Sequence, residues 1–315
     1  MKKYCIFASI FGIILVIAGA TIIGYFYSQG YDMDSIFEDS TSSAIVETVY
    51  TTVTEDYAYE TPLSEESAES HSQEFSSSDS ASVKEIEIDV SSAKVGFYTS
   101  YNDCIKIYSS GTDSGLVKAT ISSGKLEIDY GTADIDFTDI KNVDLQSVVN
   151  IADNAPEIDI YLPEGFQYEN VSIEIASGEL NLNDLITNDL DIQMAAGNIN
   201  MHRNIICNSP DIELVAGEIM ITSSYLYNLE VETVSGGDIY LSECELIGET
   251  KIDTVTGNTD IYNLPGSVDD YDYDISVLTG TVRVNGSNNI PSNSYAENKI
   301  SVSKVTGNVY IEFTE

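Results

Sequence analysis

Apolar and polar positions follow three successive patterns along the chain. From Tyr4 to Tyr27, 24 residues pass without a charge behind Lys2 and Lys3. At 1.5 Å per residue a helix of that length runs about 36 Å, enough to cross a hydrocarbon core of ~30 Å. Tyr25, Phe26 and Tyr27 close it with aromatics of the kind that settle at a membrane interface. Residues 1–30 therefore read as a cytoplasmic stub and transmembrane anchor, lysines inside and everything after Tyr27 outside. The competing reading is a cleaved signal peptide, with Ile6 to Ile17 as its apolar region and Ala18-Gly19-Ala20 as its cleavage site. The apolar run continues past that site through Thr21-Ile22-Ile23, which favours the anchor. Residues 31–82 show no apolar period; they hold 13 acids, 13 Ser and 6 Thr, and no Lys or Arg. This composition predicts a disordered acidic linker. From residue 83 to 315 the pattern becomes period-two alternation, as in Ile86-Glu87-Ile88-Asp89-Val90 and Ile158-Asp159-Ile160-Tyr161-Leu162. It predicts β-structure throughout, with no convincing helical period.

Within this third zone one unit repeats. Segments such as VSIEIASGELNL, LDIQMAAGNINM and ISVSKVTGNVYI align on Gly178, Gly197, Gly217, Gly236, Gly257, Gly280 and Gly307, at spacings of 19, 20, 19, 21, 23 and 27. A weaker copy, ATISSGKLEI, centres on Gly124. In each copy an aliphatic residue stands five before the glycine and a small one just before it. The alternation then changes phase. A strand enters, the chain turns at a glycine free to take positive φ, and a second strand leaves. A period near 20 predicts an all-β fold of the β-solenoid type, built of Gly-cornered rungs ~4.8 Å apart. A β-sandwich is the competing fold, and the near-constant glycine register argues against it.

The aliphatic-[Ser/Ala/Thr]-Gly-x-aliphatic-x-aliphatic motif resembles that of the bacterial putative-adhesin family of β-strand-repeat proteins, a domain of unknown function. So does Ile158 to Phe166, where a strand ends in Pro163-Glu164-Gly165 just ahead of the first clear repeat. The resemblance covers about residues 83–315. It implies a β-solenoid at a bacterial cell envelope, and it carries no established catalytic residues to transfer.

Composition narrows the chemistry. With 13 Lys plus Arg against 52 Asp plus Glu, the net charge is −39. Such a chain repels phosphate backbones and anionic lipid, so nucleic acid is not an expected partner. His71 and His202 are the only histidines. There is no Gly-x-Ser-x-Gly elbow, phosphate loop or His-Glu-x-x-His, and no catalytic residue or cofactor is assigned. The cysteines Cys5, Cys104, Cys207 and Cys244 have no metal-binding spacing; those beyond Cys5 read as small core or corner residues. The one metal candidate is Asp270, Asp272 and Asp274, which share a strand face and offer oxygen ligands suited to Ca²⁺; a solvated acidic strand is the plainer reading.

The sequence thus reads as a single-pass protein of the cell membrane, N-terminus cytoplasmic. It displays an extracellular, non-enzymatic β-solenoid for binding or adhesion. Its expected partners are the membrane, through the N-terminal helix, and a cell-wall polymer, host glycan or membrane protein. An accessory role in envelope-stress sensing is the alternative, and a carbohydrate-active enzyme a third reading.

Overall fold

The computed structural model describes residues 70–111, 114–131, 155–235 and 237–314. The anchor expected over 1–30 and the linker up to residue 69 lie outside them. Among the described residues no helix is long and apolar enough to cross a membrane.

The middle of the domain shows the repeat most directly. Strands β7 (Gln167–Asn183), β8 (Ile186–His202) and β9 (Ile205–Thr222) lie parallel and in register, with Gly178 paired to Gly197 and Gly197 to Gly217. Their alternate residues point inward and stack into buried columns: Ile173, Ile192 and Ile212 before the corner, Leu180, Ile199 and Ile219 after it. Each glycine has positive φ (149°, 134° and 141°). A Cβ on Gly197 would land on the carbonyl oxygen of Gly178, and one on Gly217 on that of Gly197. Glycine is required twice over, by the backbone angle and by the closeness of the next rung.

The column continues into β11 (Glu230–Ser235) with β12 (Ile239–Ser242), then β14 (Glu249–Thr256) with β15 (Thr259–Leu264). Here one position shifts. Ser235 pairs with Ala216 but Ile239 with Ile219, so this rung holds one extra residue at its corner. Gly236 lies outside the described residues, and the glycine that stacks between Gly217 and Gly257 is Gly237. Gly124 is no rung corner. With Ser123 it forms the turn between antiparallel strands β4 (Lys118–Ser122) and β5 (Lys125–Tyr130), both residues at positive φ as a type I′ hairpin requires.

Neither end of the stack follows chain order. At the first end, β2 (Glu85–Ser100) lies between β7 on one side and β5 with β6 (Glu157–Pro163) on the other. Ala93 fills its glycine position. Among the described residues, β5 ends opposite Val90 and β6 begins opposite Lys94 on the side of β2 away from β7. Beyond this rung, β3 (Lys106–Ser110) pairs antiparallel with β6, and β1 (Ser70–Glu74) with β3. A short helical turn, α1 (Ser77–Ser80), is capped by Ser76, whose hydroxyl accepts from Asp79 N at 3.2 Å. The expected linker boundary at 82 is corrected: residues 70–80 form part of this end cap. At the other end, β18 (Asn298–Thr306) and β19 (Val309–Phe313) lie directly on β14 and β15. The earlier segment β16 (Tyr271–Thr279) with β17 (Val282–Val284) forms the outermost rung. A Cβ on Gly307 would meet Gly257, and one on Gly280 would meet Gly307. The long spacings of 23 and 27 mark this crossing.

A second corner column escapes the sequence pattern. Asp184, Arg203, Ser223, Glu243 and Asn263 all take φ between 50° and 56°. The next residue of each rung turns inward and is buried: Leu185, Asn204, Ser224, Cys244 and Leu264. Asn204 satisfies this interior itself, accepting from Leu185 N (2.9 Å) and donating to Leu182 O (3.0 Å). Cys244 donates to Ile221 O, and burial pushes its thiol up to about 11. Cys207, by contrast, is exposed. The short strands β10 (Tyr225–Tyr227) and β13 (Glu245–Ile247) follow this corner and complete two of the rungs.

Candidate functional site

In-register stacking turns each outward position into a column, and the two strands flanking the glycine corner present different chemistry. The incoming strands are acidic. One column runs Glu87, Ser172, Asp191, Asp211, Glu230, Lys251. Its neighbour carries Asp89, Glu174, Glu213, Glu232 and Asp253. Rungs ~4.8 Å apart leave these carboxylates crowded. Partial burial, and then the neighbouring carboxylates, raise the pKa of Glu174, Asp211 and Glu213. Two lysines relieve the strip. Lys251 reaches Glu230, Asp253 (3.0 Å) and Glu232 (3.7 Å). Burial works against its charge, but these partners hold its pKa above the usual value. Lys125 bridges Glu87 and Glu127.

The outgoing strands are aromatic and amide-rich. One column reads Asp159, Gly96, Asn181, Asn200, Met220, Tyr240, Asp260, Tyr310. Beside it, Tyr98 pairs with Tyr161, Asn183 with His202, His202 with Thr222, and Ser242 with Tyr262. Asp159-Ile160-Tyr161 and Asp260-Ile261-Tyr262 therefore set a carboxylate and a tyrosine in equivalent places. Around Asp159, the rings of Tyr98 and Tyr161 stack at 5.3 Å, and Tyr108 meets Tyr161 edge-on at 5.5 Å. Tyr98 folds over Gly96, where a Cβ would come within 2.7 Å of its ring and hydroxyl. Burial, then repulsion from Glu157, pushes Asp159 up to about 6 against the pull of the Tyr98 hydroxyl. Burial likewise lifts Tyr98 up to about 12. Asp260 sits between Tyr240 and Tyr310 in register, and the rings of Tyr240 and Tyr262 lie 5.8 Å apart. Its Oδ1 is buried without a hydrogen-bond partner. Burial and then Asp238 push it up to about 6, against the pull of Lys304.

Lys304 itself points inward. Its ammonium donates to Gly257 O and Thr259 Oγ1, both at 2.8 Å, and burial lowers its pKa to about 8. Between the two aromatic stations, Asn200 donates to Asn181 Oδ1 at 2.9 Å and His202 Nδ1 lies 2.8 Å from Thr222 Oγ1. His71 lies at the far end cap, its Nδ1 3.3 Å from Ser114 Oγ.

The residues now have relatives to stand beside. Residues 83–246 match the family model described as Toastrack DUF4097. The chain belongs to this family. That agrees with the resemblance carried by the repeat motif, and the match takes in the Toastrack rungs from β2 to β13, including Tyr98, Asp159, Tyr161 and Tyr240. No curated protein matches the chain. Among solved structures, the Toastrack chain is similar to a putative cell adhesion protein from Clostridium sporogenes (11% identity, 79% of this chain and 100% of that one, TM-score 0.34). It is also similar to putative adhesins from Bacteroides fragilis (13%, 78% and 98%, 0.40) and Parabacteroides distasonis (13%, 78% and 97%, 0.39).

The calcium candidate is not assembled. Asp270 caps a single turn, accepting from Ser267 N at 2.7 Å and Ser267 Oγ at 3.0 Å. Asp272 accepts from Asn293 N at 3.1 Å, and Asp274 lies 3.9 Å from Lys299. Asp270 belongs to the turn that precedes β16, so the three never share the strand face expected of them. Among the described residues no group of three or more His, Cys, Asp or Glu is placed to hold a metal ion. The alternation does not mark the tyrosine–aspartate stations, because an outward tyrosine is ordinary in a strand. Asp-Ile-Tyr occurs at 159–161, 238–240 and 260–262, and the first and last of these fall in equivalent places on their rungs.

Proposed function

We propose that this chain is an envelope protein, held by its N-terminal apolar segment with the Toastrack domain outside, and that it binds a surface ligand without catalysing a reaction. The observation that carries the binding role is the outgoing face. Six rung-to-rung steps align two tyrosine–carboxylate stations along one strip, with Asn181, Asn183, Asn200, His202, Met220 and Thr222 between them. Rigid amphipathic tyrosines with a few fixed polar groups are how binding surfaces gain contact area at low entropic cost. The test has two parts. Protease added to intact protoplasts should digest residues 83–315 and leave the N-terminal segment with the membrane; protection of the domain overturns the topology. The full-length protein should co-sediment with purified cell-wall polymer or with host-cell glycoprotein, and a Tyr98→Ala/Tyr262→Ala variant should lose that retention.

A further inference from the structure

Two outward columns of the outgoing strands carry fewer charges than the acidic incoming strands, while the column nearest the glycine corner adds Glu157, Lys94, Glu179 and Glu218. Along these two columns the charged side chains are Asp159 and Asp260 at the stations, Glu312 on the rung after Tyr262 and Arg283 on the last rung. The incoming face carries a carboxylate on nearly every rung. A polyanion is repelled by the whole domain, and a polycation is drawn to the incoming face. What the outgoing strip offers is different: half-buried tyrosine rings, amides fixed in place by donating to Asn181, Glu179 and Phe97 O while their oxygens keep a lone pair, and at each station one carboxylate set among tyrosines. Rings match the C–H faces of a pyranose, and amides and carboxylates match its hydroxyls. Asp260 brings a second indication, since its Oδ1 is a buried acceptor still lacking a donor.

We propose that the strip between the Tyr98–Asp159–Tyr161 and Tyr240–Asp260–Tyr262 stations binds a neutral linear polysaccharide lying along the stack and held at both stations at once. The proposal rests on the binding role given above and names its ligand class. Asp159 and Asp260 are six rungs apart in the same column. At ~4.8 Å per rung the stations are about 29 Å apart. A chain too short to span them occupies one station, and one that spans them gains by effective concentration.

The experiment titrates full-length protein, in a detergent without a sugar headgroup, with uncharged β-1,4-linked glucose and N-acetylglucosamine oligomers of two to ten units. Affinity should step up by at least tenfold once the oligomer spans both stations, and should be unchanged between 0.05 and 0.5 M NaCl. Tyr98→Ala and Tyr262→Ala should each abolish the step, as should Asp260→Asn, which preserves the packing volume. Glu213→Gln on the other face should leave the step intact. Binding only to deacetylated, cationic oligomers and lost in 0.5 M salt overturns the proposal, as does a step that survives both tyrosine substitutions. Retention on wall polymer with no affinity for any neutral oligomer overturns the ligand class and leaves the binding role standing. Failure to bind either overturns both.

Discussion

At the scale of single residues, glycine is used here in two ways that the sequence alone does not separate. Gly217 has φ of 141°, and a Cβ on it would land on the Gly197 carbonyl oxygen. Gly165 has φ of 70° and nothing within 4 Å of where a Cβ would stand. Gly217→Ala must move a rung and should cost more than about 4 kcal/mol. Gly165→Ala meets only the left-handed backbone penalty and should cost about 1 kcal/mol. Urea denaturation of both variants measures the difference, and equal costs would show that rung contact is not what fixes the corner glycines. The glycine corners were legible because every copy needs the same atom-free space. The second corner was not, because Asp184, Arg203, Ser223, Glu243 and Asn263 share a backbone angle and no side-chain type.

At the scale of strands, the outcome turns on neighbours. The alternation gave the strands, their inward residues and the corner between them, since those depend on the rung itself. It could not give which rung lies on which, because a rung presents the same ladder to any partner. Hence β18 and β19, last in the chain, are bonded along both edges, and β16 and β17 along one. Hydrogen exchange followed by mass spectrometry should find the amides of 298–313 slower than those of 271–284, a reversal of ordinary end fraying. Faster exchange at 298–313 would mean that the rungs stack in chain order. The aromatic stations belong to this scale too, since Tyr240 gains its aspartate from the following rung and Tyr98 from one laid down later in the chain.

At the scale of the whole domain, crowded carboxylates make stability depend on pH. Asp159 and Asp260 titrate near 6 in the fold, and Glu174, Asp211 and Glu213 are raised as well. An unfolded aspartate titrates near 3.9, so between about pH 4 and 6 the folded domain binds more protons than the unfolded chain. The stability these groups supply is complete below that window and is lost as pH rises through 6. Glu249, lowered first by its bond to Lys299, and His202, lowered first by burial, act in the opposite sense. The raised groups outnumber them. With the two aspartates discounted for solvent screening to about 1 kcal/mol together, Tm in 0.15 M salt should be about 3 °C higher at pH 5 than at pH 7. Asp159→Asn with Asp260→Asn should flatten that rise, and a Tm that falls from pH 7 to pH 5 would contradict it.

The burial of β2 inside the stack also decides how the domain carries load. A pull on the chain ahead of residue 83 first reaches β1, five residues paired along one side only. That strand peels away bond by bond and yields slack: residues 70–84 extend to about 50 Å at ~3.4 Å each. The tension then arrives at β2, sixteen residues held between neighbours on both edges. A force along the strand strains those bonds together, in shear, where a strand at the end of the stack would unzip from one side. The fold gives a short length of chain and then grips.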